Sequence, residues 1–380
     1  MRTDRTIACV RRAAMVAFLA TIAQGTTSAT ADLDRPATAT VLNPDLAGLT
    51  MAADGTLLAW GSDASLWRHE ASPASAPGTD AWQPAQTPHD RRIRAVAEAP
   101  GRATGSALVA VGDGGLLLHS VDGGRRWTHA LVSSASGDRP LDPELDLAAV
   151  ACDARRCLAV GPKDTLLHSF NGGAHWHDVT SEASDPPRPH GAFTTAALTV
   201  DGSAWVGGAD GRLWQDAGPG STWREHRLPA ADQAALPAID ALAADGDGVL
   251  LATADGRLIA LSGAGSRGLL SHRSPRGSYT RLSPLPTPGG WIATGSEGAC
   301  VWREAASTPW RDCGALPQRF LRGAASSPDG QHWVLAGEGG LLLHGRPPAR
   351  PWRLVALPVL ETRPDLEAVA WSDALRGFIA

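Results

Sequence analysis

The sequence predicts an all-β protein, a β-propeller of about seven four-stranded blades, and three observations support this prediction. One pattern returns along most of the chain: an apolar strand, a tight acidic turn, another apolar strand and a Trp. Its spacing is nearly regular, as repeat folds require. The 3.6-residue periodicity of amphipathic helices is almost absent beyond the N-terminal region.

The spacing of the repeat gives the number and size of the blades. The second strand of each copy ends at an anchor, and the anchors are Gly61, Gly112, Gly161, Gly208, Thr253, Gly295 and Gly337. Successive anchors lie 51, 49, 47, 45, 42 and 42 residues apart. Such intervals have room for four strands of about 5–6 residues each and their turns. Each copy therefore predicts one blade.

Six copies place a Trp near the start of the fourth strand. These residues are Trp82, Trp127, Trp176, Trp223, Trp310 and Trp352. A large flat ring is suited to filling the space between adjacent blades. We therefore expect these Trp residues to be structural, with sugar-stacking platforms as the alternative.

The end of the chain predicts how the ring closes. Residues 366–380 repeat the first two strands of a copy and then stop. We expect these strands to join the N-terminal segment near Thr38–Leu42. Eight blades, with an incomplete closing blade, is the alternative.

The N-terminal residues are typical of a signal peptide. Four arginines precede the apolar run Ala13–Ala23, and Ala29 and Ala31 form an A-x-A cleavage site. We predict a signal peptide over residues 1–31, cleaved after Ala31, an N-terminal segment over 32–44 and a single propeller domain over 45–380. An uncleaved anchor is the alternative. The predicted location is the periplasm or the extracellular space, with no transmembrane segment after cleavage.

Composition and motifs exclude several classes of function. The net charge is −5 and no long basic run occurs, which argues against nucleic acid as a partner. The sequence has no phosphate loop, nucleophile elbow or zinc motif. We therefore expect no cofactor.

Two copies carry a recognisable turn motif before the Trp. Its residues are Ser120, Asp122, Gly124 and Trp127 in one copy, and Ser169, Asn171, Gly173 and Trp176 in the next. Both resemble the Asp-box (BNR) motif S-x-D-x-G-x-x-W, with Asn replacing Asp in the second copy. Short side-chain oxygens can bond the backbone of such a turn, and Gly supplies a positive φ.

The chain as a whole resembles the Asp-box propellers of the photosystem II stability/assembly-factor family and their bacterial relatives. The resemblance rests on Leu147–Ala151 and Leu366–Ala370, which share the pattern L-x-A-V-A, and on the A-V-G turns and Asp-boxes. It covers about residues 45–380. It implies a propeller whose Asp-boxes are fold elements, and an extracytoplasmic scaffold for assembly or interaction.

Cysteine usage agrees with export. Apart from Cys9 there are four cysteines, an even number that suggests two disulfides in an oxidising compartment. Cys152 and Cys157 face each other across a predicted hairpin, and Cys300 and Cys313 fall on the third and fourth strands of one copy. We predict Cys152–Cys157 and Cys300–Cys313. A metal site built on the C-x₄-C pattern is the alternative.

Acidic residues recur in the turn between the second and third strands. They are Asp63, Asp113, Asp164, Asp210, Asp255, Glu297 and Glu338. Equivalent blades would place them around one mouth of the central channel. One interpretation is ordinary tight-turn chemistry. The other is an acidic rim that recruits a basic segment or a cation.

Histidines offer a weaker prediction of a metal site. His119, His168 and His344 share one repeat position, so different blades hold them apart. His175 and His177 lie two residues apart on one strand face, without an evident third ligand. We expect no metal.

These observations favour a non-catalytic scaffold that binds a protein partner in an envelope or membrane complex and that is itself a monomer. The alternative is an Asp-box glycoside hydrolase, either sialidase-like or with two carboxylates. A sialidase-like site needs a Tyr nucleophile assisted by Glu. Tyr279 is the single tyrosine, and no Glu is near it in sequence.

Overall fold

The structure is a computed structural model of the chain. It describes residues 17–21, 39–40, 46–52, 54–62, 65–70, 82–100, 107–133, 138, 140–179, 189–219, 221–226, 228, 236–246, 248–261, 269–348, 350–355, 365–371 and 376–379. In these ranges the regular structure is β, apart from short 3-10 turns at Ser296–Gly298 and Glu338–Gly340. No helix in them is long and apolar enough to cross a bilayer.

Seven four-stranded antiparallel blades follow one another along the chain, which confirms the predicted propeller. Two strands precede them, β1 (Ala17–Thr21) and β2 (Ala39–Thr40). Blade 1 comprises β3 (Leu46–Met51), β4 (Thr56–Gly61), β5 (Leu66–Glu70) and β6 (Gln83–Pro84). Blade 2 comprises β7 (Ile93–Ala99), β8 (Ala107–Gly112), β9 (Leu117–Ser120) and β10 (Thr128–His129).

Blade 3 has one additional strand. The extra strand, β11 (Leu131–Ser133), leaves blade 2 and pairs in parallel with the outermost strand of blade 3. The blade itself comprises β12 (Ala149–Cys152), β13 (Cys157–Val160), β14 (Leu166–Ser169) and β15 (His175–Asp178). Blade 4 comprises β16 (Phe193–Leu198), β17 (Ala204–Gly208), β18 (Leu213–Asp216) and β19 (Arg224–His226).

The last three blades repeat the same four-stranded meander. Blade 5 comprises β20 (Ile239–Asp245), β21 (Gly248–Thr253), β22 (Arg257–Leu261) and β23 (Leu269–Arg273). Blade 6 comprises β24 (Tyr279–Pro284), β25 (Trp291–Gly295), β26 (Cys300–Arg303) and β27 (Arg311–Asp312). Blade 7 comprises β28 (Leu321–Ser326), β29 (Trp333–Gly337), β30 (Leu341–Arg346) and β31 (Arg350–Leu354).

A smaller eighth sheet fills the position between blade 7 and blade 1. Its inner strands are β32 (Val369–Trp371) and β33 (Arg376–Ile379), and β32 contacts both β28 and β3. β33 pairs with β1, and β1 pairs with β2. Ala39–Thr40 thus joins the closing sheet as expected, but β1 separates it from β33. β1 lies within the predicted signal peptide, whose cleavage remains a prediction.

The core lies between neighbouring blades. The second strand of each blade has a neighbouring sheet against both of its faces, so β4, β8 and β21 are buried along their whole length. This explains their continuous apolar sequences, because no position of the strand faces water. Each fully buried Leu or Val stabilises the fold by about 1.5–3 kcal/mol.

Trp127 and Trp176, which follow the two turns that resemble the Asp-box, lie between neighbouring blades. Trp127 packs in a cluster with Leu58 of blade 1 and Leu108 of blade 2. Trp176 packs with Val109 of blade 2 and Ala159 of blade 3, and it is fully buried. Trp310 and Trp352 are only half-buried.

Innermost strands share a bulge at their first residues. The register shifts directly after Leu46, Ile93, Phe193, Ile239, Tyr279 and Leu321. A bulge leaves one residue outside the ladder and re-aims its side chain. In blades 2 and 7 that residue is an arginine, Arg94 or Arg322.

Candidate functional site

One end of the ring, here called the rim face, carries the turns between second and third strands and the connections between blades. An antiparallel meander requires this arrangement, because alternate turns emerge at the same end. The predicted acidic residues lie in those turns, except Asp63, which is outside the described residues. Inter-blade connections surround them.

Every described rim acid has an intramolecular hydrogen-bond partner. Asp113 bonds Arg94, Asp164 accepts from the Gly191 N–H at 2.7 Å, and Asp210 pairs with Arg212 at 3.3 Å. Glu297 and Glu338 accept longer bonds, both 3.4 Å, from the N–H groups of Gly277 and Phe320. These contacts support the interpretation of the acids as turn and connection chemistry. That they also bind a partner remains a prediction.

Asp255 is the most deeply integrated of these acids. Its carboxylate accepts from the Thr253 hydroxyl at 2.6 Å and pairs with the buried Arg257 at 2.8 Å. Burial alone would raise the pKa of Asp255, but these two partners outweigh it and the pKa is lowered. Asp255 is therefore ionised at neutral pH, and the neighbouring Arg257 balances its negative charge.

Two blade junctions carry the same clamp, which the sequence analysis missed. Arg94 of blade 2 bonds Asp146 at 3.1 Å, and Asp146 also accepts from the Gly114 N–H at 2.8 Å. Arg322 of blade 7 bonds Asp365 at 3.0 Å, and Asp365 accepts from the Gly339 N–H at 2.8 Å. Each aspartate therefore fastens the turn of one blade to the next inner strand.

The sequence does contain a pattern for this clamp. Residues 91–94 read R-R-I-R and residues 319–322 read R-F-L-R, so both have the form R-x-[I/L]-R. Each is followed one repeat later by D-L-x-A-V-A, at 146–151 and 365–370. Matching these two motifs across copies would have identified the pairs.

Three exposed arginines of the rim face, Arg91, Arg92 and Arg319, form no ion pair within the described part of the chain. Arg91 lies over Gly114, and Arg319 occupies the equivalent place over Gly339, because added Cβ atoms there would meet the two guanidinium groups. Each of these two places therefore presents an exposed guanidinium group that has no acid partner in the described part of the chain.

The two turns that resemble the Asp-box motif are held by side-chain to backbone hydrogen bonds. The Ser120 hydroxyl accepts from the Gly124 N–H at 3.0 Å, and Asp122 accepts from two backbone N–H groups, both at 3.0 Å. These bonds and that of Ser120 outweigh burial and lower the pKa of Asp122. The Trp127 indole donates to the Gly124 carbonyl at 3.0 Å.

The blade 3 turn repeats this geometry with an amide in place of the carboxylate. Gly173 donates to Ser169 at 3.0 Å, and Asn171 accepts from the His175 N–H at 2.9 Å. Gly173 has φ +88°, and a Cβ there would lie 2.3 Å from Val109. Only glycine meets both the left-handed backbone and the close approach to blade 2.

Both predicted disulfides are present. Cys152–Cys157 joins opposed residues of β12 and β13, with Cα atoms 4.0 Å apart. Cys300–Cys313 joins the third strand of blade 6 to the residue directly after the fourth strand, with Cα atoms 5.5 Å apart. Each disulfide therefore crosslinks a single blade.

Tyr279 does not have the environment of a nucleophile. Its side chain is fully buried at the start of β24, and burial raises the pKa of its hydroxyl to about 12. A nucleophilic oxygen must reach the substrate and be readily deprotonated. This geometry argues against the sialidase-like alternative.

The histidines lie mainly on outer strands. His119 is half-buried, and burial followed by the nearby His175 lowers its pKa. His168 and His177 face each other with ring centroids 5.5 Å apart. Among the described residues there is no group of three His, Cys, Asp or Glu side chains arranged to hold a metal ion.

Comparisons with known proteins give structural likeness only. No protein-family model matches the sequence, and no curated protein matches it. YCF48 from Cyanidioschyzon merolae superimposes with a TM-score of 0.53 at 16% identity, over 80% of this chain and 95% of that one. YCF48 bound to D1 peptide superimposes with a TM-score of 0.51 at 17% identity, over 79% and 92%.

Another solved structure extends the likeness beyond YCF48. The C-terminal WD40 domain of Sif2 superimposes with a TM-score of 0.61 at 10% identity, over 88% of this chain and 95% of that one. At these identities the comparison shows the propeller fold, and a fold hosts many functions.

Proposed function

We propose that this protein is a non-catalytic, extracytoplasmic scaffold whose rim face binds an acidic segment of a protein partner, in the assembly or stabilisation of an envelope or membrane complex. The observation that carries the proposal is the set of exposed rim-face arginines that form no ion pair among the described residues, Arg91, Arg92 and Arg319. Guanidinium groups bind carboxylates through two parallel hydrogen bonds.

Two further points support a binding role. YCF48, which shares the fold, has been solved bound to D1 peptide. The rim acids and the clamps fix the loops around the arginines, so little conformational entropy is lost when a partner docks. The two disulfides support an oxidising, extracytoplasmic location.

Capture from envelope extracts of the host, with mass spectrometry to identify and quantify the bound protein, tests the proposal. The R91Q/R92Q double variant should recover at least tenfold less of the partner than the unmodified protein. The matched control is R125Q/R126Q, which removes the same charge from the opposite face of the same blade. It should recover the partner normally.

Two results would contradict the proposal. One is equal recovery by both double variants, because the rim arginines would then have no specific role. The other is hydrolysis of a glycan panel by the purified protein, which would restore the glycoside hydrolase alternative.

A further inference from the structure

The closing sheet differs from the seven blades in the origin of its third strand. Its strands follow the order β32, β33, β1 and β2. β32 and β33 come from the end of the chain, whereas β1 (Ala17–Thr21) lies within the predicted signal peptide. β2 (Ala39–Thr40) follows the predicted cleavage site. Cleavage after Ala31 therefore removes a strand from the middle of this sheet and leaves a strand on either side of it.

β1 is paired along both of its edges. Phe18 lies opposite Ile379 of β33 and, on the other edge, opposite Ala39 of β2. Both pairings are antiparallel. Because adjacent strands lie about 4.8 Å apart, the place of β1 is a slot about 9–10 Å wide. We call it the closing slot and define it by its two walls, Arg376–Ile379 and Ala39–Thr40.

Cleavage leaves both walls of the closing slot attached to the ring. β32, which pairs with β33, contacts β28 of blade 7 and β3 of blade 1. β2 is joined to β3 by residues 41–45. The edge of β33 that faced β1 then loses its strand partner, and such an edge is a template for pairing with another chain.

β2 is poorly suited to closing the slot by itself. β2 and β33 are each antiparallel to β1, so they run parallel to each other. Direct pairing of the two would place a parallel ladder of only two residues in an antiparallel sheet. Parallel pairing is also the less stable arrangement per residue. The slot therefore does not close by an inward movement of β2.

The residues just before β2 do not resemble the strand that they would replace. Residues 32–38 read D-L-D-R-P-A-T, whereas Ala17–Thr21 reads A-F-L-A-T and carries no charge. To fill the slot, residues 32–38 would have to form a strand and also turn back to β2. Pro36 has no N–H to donate to a ladder, and charged side chains are typical of strands that stay at a sheet edge. An occupant from another chain fits the slot better.

We infer that, in the processed protein, an extended segment of a partner protein takes the place of β1 in the closing slot. The segment has four or five consecutive uncharged residues and runs antiparallel to β33, as Ala17–Thr21 does. This is strand addition, in which hydrogen bonds of the main chain provide the affinity. The inference rests on the signal cleavage and export of the proposed function, but not on the rim arginines.

Binding of a peptide that copies β1 to the exported protein tests this inference. The full chain is expressed in the host, and mass spectrometry of the purified protein should show an N-terminus at Asp32. The probe is a fluorescent peptide of residues 16–22, V-A-F-L-A-T-I, with lysines added at both ends for solubility. Fluorescence anisotropy should show that it binds. The same peptide with Leu19→Pro should bind at least tenfold more weakly, because proline interrupts the ladder.

Disulfide crosslinking tests the direction and register of the bound strand. Phe18 and Ile379 are opposed, and opposed residues of antiparallel strands have Cβ atoms close to disulfide reach. The I379C protein should therefore crosslink to the F18C peptide. The matched control is the L19C peptide, because successive residues of a strand point to opposite faces, and its crosslinking should be at least tenfold lower. The R91Q/R92Q protein should bind the probe normally, which separates the closing slot from the rim site.

Four results would overturn the inference. If the exported protein retains Ala17–Thr21, β1 is a permanent strand of the sheet. If the probe does not bind, or if the Leu19→Pro peptide binds as tightly, the slot does not accept a strand. If the F18C and L19C peptides crosslink equally, the bound segment does not have the register of β1. If the processed protein is a dimer that the probe dissociates, the occupant is a second copy of this chain.

Discussion

Blades 2 and 7 are close copies in sequence, yet they use their copied residues differently. Both have a G-[D/E]-G-G-L-L-L-H turn, an R-x-[I/L]-R connection and a clamp to the next inner strand. In blade 2 the turn acid Asp113 pairs with Arg94. In blade 7 Arg322 bonds Asp365 and Glu367 of the closing sheet, at 3.0 and 3.2 Å, and the turn acid Glu338 instead accepts a backbone N–H.

The outer halves of the two blades differ more. Blade 2 has a complete Asp-box and a buried Trp127, whereas blade 7 turns through Arg346–Arg350 before the half-buried Trp352. Blades 2 and 7 therefore share the inter-blade contact at the rim, whereas their turns between the third and fourth strands differ. Four measurements test whether the two blades are equivalent.

The largest effect should come from the tryptophans. Trp127→Ala should destabilise the protein by about 3–5 kcal/mol, since it removes a large side chain buried between blades 1 and 2. Trp352→Ala should cost clearly less, because its ring is half exposed and its indole bonds the Cys313 carbonyl at 2.8 Å in a wetter setting. Urea unfolding of both variants measures the difference, and equal losses would show that the outer turns are equivalent after all.

The clamps should be of similar strength. Asp146→Ala and Asp365→Ala each leave one turn N–H and one arginine short of an acceptor. Each should cost about 1–2 kcal/mol, reduced from the buried value by partial exposure. Asn substitutions keep an acceptor and should recover part of the loss. Thermal unfolding measures the loss of stability in each variant. A much larger loss at one site than at the other would show that the two clamps are not equivalent.

Acid should weaken the blade 2 junction selectively. Burial, then the neighbouring His129, lowers the pKa of His89 to about 4 from an ordinary value of 6.5. The folded state thus binds fewer protons than the unfolded state, so stability falls as the pH drops from about 6.5 towards 4. Blade 7 has Pro317, not histidine, at the equivalent position four residues before its inner strand. The melting temperature of the His89→Gln variant should depend less on pH than that of the unmodified protein. Parallel curves for the two proteins would show that His89 does not cause the acid sensitivity.

The smallest effect concerns the turn acids. Asp113→Asn removes an exposed ion pair with Arg94 and should cost about 0.5–1 kcal/mol, diminishing in high salt. Glu338→Gln keeps an acceptor for the Phe320 N–H and should change stability by less than about 0.5 kcal/mol. Urea titrations at low and high salt compare them, and a larger loss in blade 7 would contradict the difference described above.

Much of the fold was predictable because each blade of a propeller appears in the sequence as one copy of a repeat. The fully buried second strands, the Asp-box hydrogen bonds and the pairing of Cys152 with Cys157 all depend on residues close together in the chain. Local rules therefore sufficed for them.

Contacts between blades were harder to predict. Arg94 with Asp146 and Arg156 with Asp216 are 52 and 60 residues apart, and pairing them requires the geometry of neighbouring sheets. The same holds for β11, which crosses from blade 2 to blade 3.

The acids of the rim turns were visible as a repeated feature. Their partners are not in equivalent places, since Asp210 pairs within its own turn and Asp164 accepts from Gly191 of the following connection. Their availability to a partner could therefore not be judged from the sequence.

The closing sheet has a mechanical consequence. Arg376–Ile379 is hydrogen-bonded to Ala17–Thr21, so distant parts of the chain meet in one sheet, and cleavage of the predicted signal peptide would remove this pairing. β32 also packs on both blade 7 and blade 1, and cleavage would leave these contacts in place. A circularly permuted chain, joined at the closing sheet and opened at a surface turn elsewhere, should keep the ring closed. Deletion of the last strand, Arg376–Ile379, should open the ring.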